Sequence, residues 1–287
     1  IFLTLFLAVG ISACGSLGTS STPTPSEPTP TLAPPTPTPP PSAAAVNGEY
    51  ITITEFQAEL ERYKAAQTAL GLSFTDEDAN KTVLEDMIAQ VLLSQAARAE
   101  NFEVTDADLQ SRIDALVSQL GSADALIQWQ SAHGYDDASF RLALKRSIEA
   151  AWMRDKIVAA VPTSAEQIHL RQILTYNEAD AQSALAELNA GTDFDELAAQ
   201  YDPVTAGELG WVPQGYLLDP KADEAVFALQ TGQVSGIIST DAGFHIFKAI
   251  ERGDHALSPD ALLAMQEHAL QNWVADQRAK SEIVIAP

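Results

Sequence analysis

At 287 residues with a hydrophobic fraction of 46%, the chain is long enough for about two domains with buried cores. Its 16 basic against 39 acidic side chains give a formal net charge of -23, a surface that repels nucleic-acid phosphates and anionic lipid headgroups. The single cysteine, Cys14, excludes an intrachain disulfide, and His133, His255 and His268 are scattered without metal-ligand spacing. P-loop, Gly-rich dinucleotide, His-Glu-x-x-His and Gly-x-Ser-x-Gly patterns are absent, so no cofactor or metal is expected.

Residues 1–13 form an apolar stretch with the length of a signal-peptide core, too short to span a bilayer comfortably. Ile1 stands in place of an initiator Met and no basic start precedes the apolar run, which implies an N-terminal truncation. Ile11-Ser12-Ala13-Cys14 followed by Gly15 resembles a bacterial lipobox, which implies a signal peptide over 1–14 and a lipid anchor on Cys14. Residues 19–45 hold ten of the 16 prolines, interleaved with Thr and Ser, and read as an extended, disordered spacer that can join no helix or sheet. The linker is assigned to 15–46.

From residue 47 to 162 the pattern is helical. Ile51 and Ile53 alternate as a short strand, and Thr54 with Gln57 is read as a capping box for a helix carrying Phe56, Leu60, Tyr63 and Leu70, stopped by Gly71. Further helices are predicted from about Asp76, after Thr105, over Ala123–Ala132 and over Asp137–Ala160. Between 163 and 253 the character changes. Strands are predicted at Ile168–Leu174, Val234–Ser239 and Phe244–Ile250, with helices at Glu178–Asn189, Phe194–Gln200 and Asp223–Leu229. Residues 254–287 follow as a helix begun by Ser258-Pro259, with Leu262, Leu263, Leu270, Trp273 and Val274 on one side, and a terminal strand over Glu282–Ala286. The fold class is α+β, a helical lobe interrupted by an antiparallel α+β domain.

The blocks Leu170-Arg171-Gln172-Ile173-Leu174, Gly207-Glu208-Leu209-Gly210-Trp211, Gln214-Gly215-Tyr216-Leu217-Leu218, Gln230-Thr231-Gly232-Gln233-Val234-Ser235-Gly236 and Thr240-Asp241-Ala242-Gly243-Phe244-His245-Ile246 keep an order and spacing that resemble the parvulin family of peptidyl-prolyl isomerases. The whole plan resembles the SurA- and PrsA-like extracytoplasmic chaperones, in which a helical chaperone lobe is split by an inserted parvulin domain. That resemblance implies an isomerase and chaperone for unfolded or proline-containing secreted polypeptides, held at a bacterial cell envelope. It says nothing of oligomeric state.

Carried over by position, the resemblance implies that His245 is the second histidine of the family's site and Thr240 its threonine. It further implies that Leu209 and Leu217 line the proline socket, that Asp202 takes the Cys/Asp position, and that Trp211 and Phe244 contact substrate. Gln172 stands where the first histidine is usual, Ala242 replaces a common serine, and Ala222 or Lys221 falls where a socket phenylalanine is expected. Glutamine can donate and accept hydrogen bonds without titrating, so a neutral network survives, while a lost aromatic wall weakens the socket. A weak isomerase is the expectation. The alternatives are a holdase whose parvulin unit only binds peptide, and a surface adhesin or scaffold on a Pro/Thr stalk.

Overall fold

The computed structural model describes residues 40–286. The signal-like segment, Cys14 and the proline-rich stretch through Pro39 lie outside the described residues.

The lobe is built on a small sheet. Strands β1 (Ser42–Val46) and β2 (Glu49–Thr52) form an antiparallel hairpin. Its turn residues Asn47 and Gly48 both take positive φ, 51° and 82°, which suits the right-handed twist of the flanking strands. β1 is the middle strand of three, because the C-terminal β7 (Ile283–Ile285) pairs with its other edge. Composition had put Ser42–Val46 in the linker. The three alanines and Val46 make a strand because both edges find partners, and Ala44 and Val46 are buried against Ile88, Val91 and Leu92.

Helix α1 (Ile53–Ala69) starts at Thr52, whose hydroxyl accepts from Glu55 N while the Glu55 carboxylate accepts from Thr52 N. The capping box is thus Thr52/Glu55 and not Thr54/Gln57. The chain leaves the sheet at Thr52, and an ionised Glu in the first turn also meets the positive end of the helix dipole. Helices α2 (Asp76–Ala99), α3 (Asp106–Leu120), α4 (Ala123–Ala132) and α5 (Asp137–Ala159) follow, capped by Thr75, Thr105, Ser122 and Asp136.

α2 and α5 enclose Glu149, which is fully buried. Its carboxylate accepts from Ser94 Oγ at 2.7 Å and Arg98 Nη1 at 2.6 Å. Arg98 also meets Glu49, and Arg146 joins Glu49, Glu55 and the Tyr50 carbonyl. One charge network therefore ties β2, α1, α2 and α5 together.

The second body is a sheet of order β4-β3-β6-β5, all pairs antiparallel: β3 (Ser164–Thr175), β4 (Glu208–Pro213), β5 (Ile238–Thr240) and β6 (Gly243–Ala256). Helices α6 (Glu178–Asn189) and α7 (Phe194–Tyr201) cover one face, where Ile173 and Ile246 pack with Ala184, Phe194 and Leu197. Helix α8 (Pro220–Phe227) covers part of the other, where Ile168, Leu170, Val212, Phe247 and Ala249 pack with Ala222 and Val226.

Three expectations are corrected here. The strand read over Val234–Ser239 is β5 at Ile238–Thr240, preceded by a single bridge from Val234 to Lys248. The ladder breaks because Ser235 Oγ, not a backbone carbonyl, accepts from Phe247 N at 2.9 Å. β4 was not foreseen, since its Gly-Glu-Leu-Gly start reads as a turn; Gly210 adopts φ 72° where the β3–β4 register shifts. Finally, β3 and β6 stay paired as far as Ser164↔Ala256, past the boundary expected at 253.

Helix α9 (Pro259–Lys280), capped by Ser258, returns to the lobe. Leu270 and Trp273 pack beside Leu93, Ala97, Ala150 and Met153, whereas Leu263 stays 56% exposed, so only part of the apolar stripe is used.

Candidate active site

Strand alternation sorts the candidates by face. On β3, Ile168, Leu170, Gln172 and Leu174 point to the α8 side; on β6 their cross-strand partners include His245, opposite Leu174, and Phe247, opposite Gln172. Thr240 ends β5, paired with Gly243. These positions bring three polar side chains together. His245 Nδ1 lies 2.9 Å from Gln172 Oε1, and His245 Nε2 lies 2.9 Å from Thr240 Oγ1.

The imidazole is buried at 9% exposure and stacks on Phe247, ring centroids 5.3 Å apart and planes 8° from parallel. Burial pulls the His245 pKa below its ordinary value, and the negative charge of Asp219 opposes that shift without reversing it. The imidazole is therefore neutral at pH 7. A neutral ring has one N–H and one lone pair, and the geometry is met when Nδ1–H donates to Gln172 and Nε2 accepts from the Thr240 hydroxyl. The Thr240 oxygen in turn accepts from Ala242 N at 3.1 Å.

The backbone around this group leaves no room for a side chain at two glycines. Gly207 O accepts from Gln172 N at 2.8 Å, and a Cβ on Gly207 would stand 1.9 Å from Gln172 O. At Gly243 a Cβ would stand 2.5 Å from Thr175 O. Both φ values, 72° and 136°, also belong to glycine.

The apolar floor next to His245 is Phe247, with Leu217, Tyr216 and Ile238 packed around the same cluster. Ala222 is buried in that cluster while Lys221 is exposed, so Ala222 is the residue of the two that faces the floor. Leu209 occupies the extra position of the β4 bulge and is 37% exposed at the sheet margin.

Not every candidate gathers here. Trp211 pairs with His169 on the opposite face, between the His169 ring at 5.3 Å and the His255 ring at 3.7 Å. Phe244 is one residue from His245 and so also belongs to the far face. Strand parity puts both on the face away from His245. Phe247, two residues beyond His245, shares its face and stacks on it, and the alternation of Phe244-His245-Ile246-Phe247 was the signal that could have found it. Asp202 uses its carboxylate on its own loop, accepting from Val204 N at 3.0 Å, Thr205 N at 3.1 Å and the Thr205 hydroxyl, which holds its pKa below the usual carboxylate range. Among the described residues its carboxylate makes no hydrogen bond to His245 or Gln172. Asp219 was not foreseen at all.

The chain is similar to known proteins. The family model described as a PPIC-type PPIASE domain matches residues 169–251, and the one described as a SurA-like N-terminal domain matches 37–137. "Foldase protein PrsA" of Caldanaerobacter subterraneus subsp. tengcongensis is 30% identical over 226 residues, covering 72% of this chain and 72% of that protein. The "Foldase protein PrsA" of Geobacillus kaustophilus is 29% identical over 61% of this chain, and the match spans 64% of that protein's own length. A crystal structure of PrsA from Bacillus cereus superposes with a TM-score of 0.44 at 20% identity, covering 82% of this chain and 85% of that one. By the first of these relationships, the chain belongs to the PrsA foldase family.

Proposed function

We propose that the protein is a peptidyl-prolyl cis-trans isomerase and chaperone that assists the folding of secreted or cell-envelope polypeptides. Isomerisation takes place over Gln172, His245 and Thr240. The observation that carries this reading is the neutral hydrogen-bonded row of those three side chains beside the Phe247–Leu217 floor.

Rotating a prolyl bond crosses about 18–20 kcal/mol because resonance flattens the amide. The planar amide is the more polar form, so a site that seats the proline ring on apolar side chains and offers no net charge favours the twisted form. Each 1.36 kcal/mol of that preference gives tenfold in rate. Gln172 keeps the row neutral and fixes the His245 tautomer, Thr240 supplies the hydroxyl, and Leu217, Phe247 and Leu209 form the seat and margin. Asp202 acts indirectly, by shaping the loop that ends in Gly207 against Gln172. Ala222 is small, so the seat lacks an aromatic wall and turnover is slow.

The chaperone role rests on the family and on a groove of about 620 Å³ in the lobe, lined in part by Met87, Leu93, Trp129, Phe140 and Leu144. Such an apolar concavity suits unfolded chain segments. The domain plan supporting this division of labour is a signal peptide over 1–14, a linker, a lobe from 42 to 162 completed by 257–287, and an isomerase domain over 163–256. Ile11-Ser12-Ala13-Cys14 supports a lipid anchor and an extracytoplasmic, membrane-attached location; among the described residues no helix is long and apolar enough to cross a membrane. Mass spectrometry of the mature protein should find acylated Cys14 at its N-terminus.

NMR exchange on a Xaa-Pro peptide tests the catalysis. The intact protein should accelerate exchange, and His245→Ala or Leu217→Ala should reduce it at least tenfold, about 1.4 kcal/mol, while suppression of client aggregation survives. No acceleration at high protein concentration leaves the holdase reading, which the Gln172 and Ala222 departures favour.

A further inference from the structure

We infer that Asp219 sets substrate preference, its carboxylate at the lip of the proline socket favouring clients with lysine or arginine beside the isomerised proline. This rests on the isomerase reading of the same site.

Position comes first. Asp219 lies two residues after Leu217 and three before Ala222, both packed on the floor that His245 overlooks. Leu218, between Leu217 and Asp219, is fully exposed, so the segment runs along the solvent edge of the socket. The negative charge of Asp219 also opposes the downward shift that burial imposes on the His245 ring.

Its orientation is fixed. As N-cap of α8, Asp219 accepts from Lys221 N at 2.8 Å and from Ala222 N at 3.3 Å, and both bonds fall on Oδ1. Oδ2 has no hydrogen bond among the described residues. A carboxylate anchored by one oxygen and open at the other is a preset acceptor for an ammonium or guanidinium group.

Its charge is uncompensated. Glu208 is met by Arg171 and His169, and Asp195 by Arg171 and Lys248. Asp219 takes part in no ion pair among the described residues. The formal net charge of -23 on the chain adds to the attraction for a cationic peptide. An amide seated over His245 brings the side chain beside the proline to this edge, where a cation gains and an anion is repelled.

The experiment uses the full chain and three peptides of the form Ala-Xaa-Pro-Phe, with Lys, Glu or Leu at Xaa. Exchange spectroscopy gives kcat/KM, and chemical-shift titration gives Kd without requiring turnover. The Lys peptide should exceed the Glu peptide by about fivefold at low salt, the size of one exposed ion pair, and the gap should narrow as ionic strength rises. Asp219→Asn, which keeps an effective N-cap, should bring the Lys/Glu ratio close to one. Turnover with equal rates for Lys and Glu overturns the inference and leaves the isomerase reading intact. Absent turnover with a Lys preference in Kd that Asp219→Asn abolishes sinks catalysis and keeps selection by Asp219. Neither turnover nor preference sinks both.

Discussion

His245 is held between two partners that carry no charge, and this decides how the site responds to pH. Burial lowers its pKa in the folded chain, so the unfolded chain binds the proton more readily. The neutral ring's contribution to stability is complete above the ordinary imidazole value of about 6.5 and is lost as pH falls through the lowered one. Protonation also removes the lone pair that accepts from Thr240. The rate constant kcat/KM should therefore stay level from pH 8 to about 6.5 and drop only in more acidic buffer; a second ionisation near neutrality in the exchange-NMR profile would refute a network in which Gln172 replaces a titrating group. Gly207 offers a sharper test. A methyl there would collide with the Gln172 carbonyl, so Gly207→Ala should cost about 1–3 kcal/mol in urea unfolding and displace Gln172 from His245. At this scale the motif spacing in the sequence singled out Gln172, His245 and Thr240, three side chains that the structure brings within hydrogen-bond distance. Trp211 and Phe244 lie on the face away from His245 because a motif lists neighbours in sequence, whereas a strand sends neighbours to opposite faces.

Elements of the lobe are joined by charge as much as by apolar packing. Glu149 is sealed between α2 and α5 with Ser94 and Arg98, and the network reaches Glu49 on β2. Truncating one partner of a buried ion pair strands the other, so Glu149→Ala should lower stability by about 3–5 kcal/mol in denaturant titration. Burial raises the Glu49 pKa, but Arg146 and Arg98 together with Gln95 outweigh it and leave the carboxyl below its ordinary value. Its contribution is present above about 4.3 and fades as pH falls through the lowered value. Most helix ends were readable, since Thr75, Thr105 and Ser258 are local capping signals. The charge network was not, because Glu49, Arg98 and Glu149 are far apart in sequence and each alone looks like an ordinary surface residue.

Across the whole described chain, the two ends of the lobe close on each other. β7 completes the sheet beside β1, and Asn47 binds both Glu282 N at 2.9 Å and Ser281 Oγ at 3.1 Å. Ending the chain at Ser281 should expose the β1 edge and destabilise the lobe by about 2–4 kcal/mol, at about 1 kcal/mol per lost hydrogen bond. Thermal unfolding followed by lobe tryptophans should shift down while peptide exchange at His245 persists. α9 also passes close to Gly215, where an added Cβ would stand 3.6 Å from His268 Nδ1 and 3.7 Å from Met265 Cε.

The amino-acid sequence alone determined the helical lobe, the interrupting α+β body and the polar residues of the site, because periodicity, caps and motif spacing are local properties that any short window carries. Tertiary structure decided which face each strand residue serves, that Ser42–Val46 is a central strand, and that Asp219 caps α8 through one carboxylate oxygen. Those outcomes depend on partners far along the chain, and local pattern holds no information about a partner until the strands have paired.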